Sequence, residues 1–134
     1  MPEPLILIDS SEILPGKLEE VKAGLRELVE FVDANEPRPL AYSMYLNREG
    51  TRMTVVQIHP DSASVELHMK VAAPIFARFA DLIKLSTMDV YGTPSPELLR
   101  QLEQKVRLLG GATIATHDLQ AGFTRFRVAR ESLV

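Results

Sequence analysis

The chain has 134 residues, of which 46% are hydrophobic and 25% are charged, as in an ordinary globular protein that can bury a sizeable core. Its 15 Lys and Arg residues stand against 18 Asp and Glu, for a net charge of −3, and no basic block favours nucleic acid or an anionic membrane surface as a partner. The sequence contains no cysteine, which excludes disulfides, thiol chemistry and thiolate metal sites. Because it shows neither a basic leader nor an apolar run of membrane-spanning length, we expect a cytoplasmic protein.

The first third of the chain predicts a strand followed by an amphipathic helix. Residues 5–8 form a continuous apolar run that predicts a buried strand extending toward Ile13. A Pro-Gly pair ends this strand, and apolar residues then recur every three or four positions: Leu18, Val21, Leu25, Leu28 and Val32. This spacing predicts a helix from Lys17 to about Asn35, and Pro37 ends it.

The next two segments, 40–47 and 51–59, predict a β-hairpin joined by a tight Arg-Glu-Gly connection. Alternation puts Tyr42 and Tyr45 on opposite faces of the first strand, and the second strand carries valines on both of its faces. An antiparallel sheet with one wet face should alternate sharply, so this pattern indicates that both faces are partly covered. A chain of this length has few residues for the second cover, and we therefore expect a homodimer.

The central helix follows the hairpin, with Asp61 or Ser62 as its N-cap. Residues 71–77 are apolar all round the helix, which indicates burial on more than one side. Pro74 lies within this segment and predicts that the helix is kinked or split near Ala73.

The remaining sequence predicts a fourth strand, a capped helix and two short strands. The fourth strand covers residues 85–92, with Leu85 and Tyr91 facing away from Met88 and Val90. A Ser-Pro-Glu start and Gly110 bound the helix. The short strands, residues 112–117 and 123–128, are expected to pair with each other or with a sheet edge.

The element order is strand, helix, strand, strand, helix, strand, followed by an extra helix and a short strand pair. The first six elements give the βαββαβ order of the α+β, ferredoxin-like antiparallel sheet. Because the second sheet face needs covering, we expect a dimeric α+β barrel. We expect one domain over residues 1–134, with a core at about 5–92 and a C-terminal extension at about 95–128.

The segment from Pro60 to Phe79, with His68, Pro74 and Phe76, resembles the helix after the third strand in the antibiotic biosynthesis monooxygenase (ABM) superfamily. The similarity spans about residues 5–92. It implies a homodimer with two sheets packed face to face, and a cavity between sheet and helices for a small, mostly apolar aromatic or ketonic molecule. Members of this superfamily oxidise aromatic polyketides without flavin or metal, degrade haem, or have no known activity.

The chemistry of the cofactor-free members needs a base and hydrogen-bond donors that stabilise an oxyanion. The resemblance therefore implies that residues of these types lie in the cavity. His68 is the candidate base, and Tyr42 and Tyr45 are the candidate hydrogen-bond donors. The alternative is that His68 is a packed histidine satisfied by a carbonyl or carboxylate and that the tyrosines are ordinary core or interface residues. The candidate ligand-binding residues are His59, Gln57, Met44, Met69, Phe76 and Phe79.

Several of these candidates also have simpler interpretations. His59 precedes Pro60 at a strand end, which favours an exposed loop position, and methionines more often fill a core than line a pocket. His117 has no partner that the sequence reveals. The three histidines lack metal-ligand spacing, so we expect no metal and no other cofactor.

Haem degradation is disfavoured, because the haem-degrading members use a tryptophan and this chain has none. Three hypotheses for the function therefore stay open. They are a cofactor-independent monooxygenase, a non-catalytic carrier or sensor of a small molecule, and a structural homodimer.

Overall fold

The computed structural model of the chain describes residues 3–126. Its strands are β1 (Leu5–Ile13), β2 (Ala41–Leu46), β3 (Arg52–His59), β4 (Ile83–Tyr91) and β5 (Thr113–His117). Its helices are α1 (Leu18–Asn35), α2 (Ser62–Val71), α3 (Ala73–Arg78) and α4 (Pro96–Leu108), with a short 3₁₀ helix at Phe79–Asp81. The strand order is β2-β3-β1-β4-β5, with β5 parallel to β4 and the other neighbours antiparallel. The predicted α+β, ferredoxin-like fold is confirmed.

The helix α1 forms where the apolar spacing predicts it and packs one stripe against the sheet. Its buried residues are Val21, Leu25, Leu28 and Val32, at steps of three and four. The helix stops one residue before Glu36, whose backbone N–H still donates to the Val32 carbonyl at 2.9 Å. Among residues 3–126, no helix is both long enough and apolar enough to cross a bilayer.

The central helix is split as Pro74 predicts. Asp61 caps α2 by accepting a hydrogen bond from the Ser64 backbone N–H at 2.9 Å, which satisfies one otherwise free donor. The helix α2 ends at Val71 and α3 begins at Ala73. The rings of His68 and Phe76, one on each side of the break, have centroids 5.3 Å apart.

A β-bulge in β4 changes which side chains face the helices. Ser10 pairs with Thr87 and Ser11 pairs with Leu85, so that Ser86 is an extra residue in the ladder. The extra residue brings Leu85 onto the buried face together with Met88 and Val90. The prediction that Leu85 faces away from these two residues is therefore wrong.

The helix α4 and strand β5 extend the fold at one edge. Ser95 caps α4 by accepting from the Leu98 N–H at 3.0 Å, and the helix buries Leu98, Leu102 and Val106. The strand β5 pairs with β4 and forms the edge of the sheet, which decides between the two pairings considered for it. The second short strand is wrong for residues 123–126, which are not in a strand, and residues 127–128 lie outside the described part of the chain.

The two faces of the sheet differ in what they contact. Residues such as Leu5, Leu7 and Val55 point toward the helices and belong to the buried core. The opposite face carries Ile6, Ile8, Val56 and Ile58, which are only partly buried. The site described next lies on the helix side of the sheet.

Candidate acid–base site

Polar side chains are buried among apolar ones between the sheet and the helices. Strand alternation turns Asp9 and Ser11 inward with Leu5 and Leu7, and Gln57 and His59 inward with Val55. The buried polar and charged residues in the described part of the chain are Asp9, Ser11, Glu36, Gln57, His59, Ser64 and His68. Buried polar groups cost stability unless they are paired, so their partners define what this cluster can do.

His68 and Glu36 form a fully buried pair. The His68 Nδ1 lies 2.9 Å from Glu36 Oε1 and 3.0 Å from Oε2. Because a carboxylate only accepts hydrogen bonds, the proton of neutral His68 is on Nδ1 and the lone pair is on Nε2. This Nε2 is buried and has no hydrogen-bond partner within residues 3–126. The ring is thus oriented by a carboxylate and keeps one basic nitrogen free.

Two aromatic rings pack edge-on against His68. The centroid of Tyr42 lies 5.0 Å from that of His68, and the centroid of Phe76 lies 5.3 Å away. Burial lowers the pKa of His68, and the hydrogen bond that His68 donates to the Glu36 carboxylate opposes this effect. Burial and the charges of Asp9 and Glu36 raise the pKa of Tyr42 well above its usual value. At neutral pH His68 is therefore a neutral acceptor and Tyr42 a protonated donor.

His59 is a second buried histidine, and both of its ring nitrogens are occupied. Its Nδ1 lies 2.8 Å from Ser64 Oγ, and its Nε2 lies 2.9 Å from Gln57 Oε1. Burial and the neighbouring His68 lower the pKa of His59 to about 4. The prediction of an exposed loop position for His59 is wrong, because β3 continues through this residue and turns its side chain inward. His59 and Gln57 stabilise the site wall and leave no free base.

Asp9 and Lys105 bring opposite charges to the other side of the cluster. The Lys105 Nζ lies 3.9 Å from Asp9 Oδ2 and 4.3 Å from the centre of the Phe76 ring, a cation–π contact. The Lys105 side chain is only 10% exposed. Burial raises the pKa of Asp9, and the Lys105 ammonium opposes the rise. Neither Asp9 Oδ2 nor Ser11 Oγ has a hydrogen-bond partner in the described part of the chain.

A cavity of about 30 Å³, here called the inner cavity, lies between these groups. Its polar and aromatic lining consists of Asp9, Ser11, Tyr42, Phe76, Phe79 and Lys105. A volume of this size holds about one or two water-sized atoms. The inner cavity can therefore take one functional group of a ligand and not a whole molecule.

Two larger cavities share wall residues with the inner cavity. One, of about 220 Å³, lies beside the end of α1 and is lined by Glu36 and Tyr42. The other, of about 320 Å³, lies between the split helix and α4 and is lined by Met69, Phe76 and Lys105. Tyr42 thus lines both the inner cavity and the first of these outer cavities, and Phe76 lines both the inner cavity and the second.

The structure brings most of the sequence candidates together but separates Tyr45 from them. Tyr45 lies on the opposite face of the sheet from Tyr42 and is 58% exposed. Met44 packs at the margin of the core, and Phe79 lies within it. His117, for which the sequence revealed no partner, lies 2.9 Å from Asp89 and stacks on Tyr91 at 4.4 Å.

Sequence reasoning missed Asp9, Glu36 and Lys105. Asp9 could have been found, because strand alternation places it on the same inward face as Leu5, Leu7 and Ile13. Lys105 lies three residues after the buried Leu102 and one before Val106, at the margin of the apolar stripe of α4. Glu36 follows the end of α1 and carries no signal of this kind.

Metal binding finds no support in this site. Within residues 3–126, no three or more His, Asp or Glu side chains are grouped closely enough to hold a metal ion.

Several solved structures have an architecture similar to that of this chain. No protein-family model matches the chain, and no curated protein matches its sequence. MupZ from Pseudomonas fluorescens is 21% identical with a TM-score of 0.72, and the match covers 92% of this chain and 95% of MupZ. A candidate antibiotic biosynthesis monooxygenase from Bacteroides thetaiotaomicron is 25% identical with a TM-score of 0.52, covering 62% of this chain and 85% of its own.

A further structure, of an antibiotic biosynthesis monooxygenase, is 22% identical with a TM-score of 0.55. That match covers 64% of this chain and 92% of the other. At these identities the comparisons establish the fold. The chain has the fold of the antibiotic biosynthesis monooxygenase-like proteins.

Proposed function

We propose that the chain binds a small, mostly apolar aromatic or ketonic molecule between the sheet and the helices, and that His68 removes a proton from it. One observation carries the proposal: the buried His68 ring is held by Glu36 at Nδ1 and keeps Nε2 without a partner among residues 3–126. A packed histidine with a purely structural role would be expected to satisfy both nitrogens when buried.

In the proposed reaction, the C–H bond next to the ligand carbonyl breaks and its proton moves to His68 Nε2. The electron pair moves onto the carbonyl oxygen, giving an enolate. The imidazolium that forms is stabilised by the adjacent Glu36 carboxylate, and the Tyr42 hydroxyl is available to donate to the enolate oxygen. Every group that this step needs belongs to the chain or to the ligand.

Oxygenation is the proposed continuation of this step, and the names of two structural neighbours support it. The enolate reduces dioxygen, so that the methylene group becomes a carbonyl group and the second oxygen atom leaves as water. The ligand supplies all the electrons. This reaction needs no flavin, metal or external reductant.

A non-catalytic carrier or sensor is the second candidate function. The observation that favours it is the small volume of the inner cavity, about 30 Å³, which does not hold a whole ligand molecule. In that case the His68–Glu36 pair is a structural element of the core.

The test uses β-tetralone, an aromatic ketone with acidic benzylic protons, in D₂O. We expect deuterium to enter the ketone at least about 100-fold faster with the protein than with an equal concentration of free imidazole, since a positioned base contributes about 10²–10⁴. Exchange is followed by proton NMR, and dioxygen uptake by an oxygen electrode. A rate no greater than that of imidazole would contradict the proton-transfer function, and binding without exchange would favour the carrier.

We also propose that the chain forms a homodimer through the sheet face that points away from the helices. Ile6, Ile8, Val56 and Ile58 place aliphatic side chains next to one another on adjacent strands of this face. Tyr45 and Tyr91 extend the same face and are 58% and 39% exposed. An aliphatic and aromatic surface of this kind is typical of subunit interfaces.

Replacing Ile8 with Glu is expected to convert the dimer into a monomer, because the carboxylate would be buried without a partner in the interface. Light scattering coupled to size-exclusion chromatography measures the mass at micromolar concentration. Leu67→Glu is the matched control, since Leu67 is a 42% exposed aliphatic residue on α2 and lies away from the proposed interface. A monomeric parent protein, or a dimeric Ile8→Glu variant, would overturn this proposal.

A further inference from the structure

Three polar groups that take no part in the proposed proton transfer to His68 lie together at the inner cavity. Asp9 Oδ2 and Ser11 Oγ are buried, line the cavity and have no hydrogen-bond partner among residues 3–126. The Lys105 ammonium lines the same cavity and lies 3.9 Å from Asp9 Oδ2. This distance is longer than a hydrogen bond, so the two charges attract each other while their hydrogen-bonding capacity remains available.

We propose that the inner cavity is an oxygen-binding subsite, in which the Lys105 ammonium and the Ser11 hydroxyl hold the carbonyl oxygen of the ligand. This inference rests on the proposed function and names its substrate class: ketones with an acidic C–H bond next to the carbonyl. The cavity volume of about 30 Å³ fits one carbonyl group.

The location of the subsite suits the proposed proton transfer. Phe76 lies near both the cation and the base. Its ring centre is 4.3 Å from the Lys105 ammonium and 5.3 Å from the centre of the His68 ring. Tyr42 lines the inner cavity and also packs against His68 at 5.0 Å. Tyr42 and Phe76 therefore border both the inner cavity and the His68 ring, so a ketone whose oxygen enters the cavity is held on the same side of the sheet as the base.

Charge explains why a lysine is useful at this position. As His68 removes the proton, negative charge grows on the ligand oxygen, and a cation in a water-poor site stabilises it more strongly than it stabilises the neutral ketone. Asp9 is the positioning residue, because its carboxyl holds the Lys105 ammonium at the cavity before the ligand binds. The Lys105 ammonium also lies 4.3 Å from the centre of the Phe76 ring, and the Lys105 side chain is only 10% exposed.

The test compares the affinities of β-tetralone and tetralin, which differ by one carbonyl group. We expect the parent protein to bind β-tetralone at least about tenfold more tightly, because hydrogen bonds to charged groups are worth this much or more. Lys105→Met should reduce the ratio to near one and leave the affinity for tetralin unchanged. Ser11→Ala should reduce the ratio by a smaller factor. Isothermal titration calorimetry gives the dissociation constants.

Arg107→Met is the matched control, since Arg107 is an exposed cation on the same helix. It should keep the preference for the ketone. Equal affinities for the two probes in the parent protein, or a ketone preference that survives Lys105→Met, would overturn the subsite and leave the proton-transfer proposal standing. Failure of both probes to bind would overturn the proposed function and the subsite with it.

Discussion

Replacing His68 with Gln is expected to lower the rate of deuterium exchange into β-tetralone by about 10²–10⁴, the contribution of a positioned general base. Glutamine is similar in size and can still donate to Glu36, so the variant removes the basic Nε2 and little else. Glu36→Gln should reduce the rate by a smaller factor, because it keeps a hydrogen-bond acceptor for His68 Nδ1 and removes the charge that stabilises the imidazolium.

His117→Gln is the matched control for this measurement. His117 also lies 2.9 Å from a carboxylate, that of Asp89, but its side chain is 43% exposed and lies away from the inner cavity. His68→Ala supplies a second arm, since added imidazole should restore part of the exchange if the missing group is a base. An exchange rate that is unchanged in His68→Gln would show that His68 is a packing residue, whatever the source of the activity.

Acidification from pH 7.5 to 4 is expected to reduce the free energy of unfolding by about 3 kcal/mol through His59 alone. The pKa of His59 is about 4 in the folded chain, compared with about 6.5 in an unfolded chain. The unfolded state therefore binds a proton that the folded state rejects, and stability falls with decreasing pH between these two values. His68 adds to the loss, because burial lowers its pKa as well.

Asp9 acts in the opposite direction, because burial raises its pKa and its protonation favours the folded state as the pH falls. The share of His59 is therefore isolated by comparing the parent protein with His59→Gln in urea titrations at pH 7.5, 5.5 and 4. Glutamine cannot titrate, and the variant should lose less stability on acidification by about 3 kcal/mol at pH 4. Parallel pH profiles for the two proteins would contradict the buried, neutral state of His59.

The elements of the fold could be predicted because their signals are local. The stripe from Leu18 to Val32, the cap before α2 and the break at Pro74 each depend on residues within a few positions of one another. The orientation of Leu85 could not be predicted, because it depends on an extra residue, Ser86, in the pairing between β4 and β1. Strand alternation assumes an uninterrupted ladder, and a bulge reverses the assignment for every residue beyond it.

The site was predicted less completely, because its contacts join distant parts of the chain. His68 and Tyr42 were found from the helix and the hairpin, yet the partner of His68 is Glu36, 32 positions away. The burial of His59 depends on Ser64 and Gln57 satisfying both ring nitrogens. A sequence pattern shows that a polar residue lies on an apolar face, but only the fold shows which other residue pairs with it.

The helix α4 brings Lys105 to a site whose proposed base lies on α2, and this arrangement divides the site between two parts of the chain. The base and its carboxylate precede the fourth strand, whereas the cation follows it. Asp9 and its counter-ion Lys105 are likewise separated along the chain, from β1 to α4, with three of the five strands between them. Changes to α4 could thus alter which ligands are accepted while the proton-transfer pair stays intact, so ligand selection and chemistry could evolve separately in this fold.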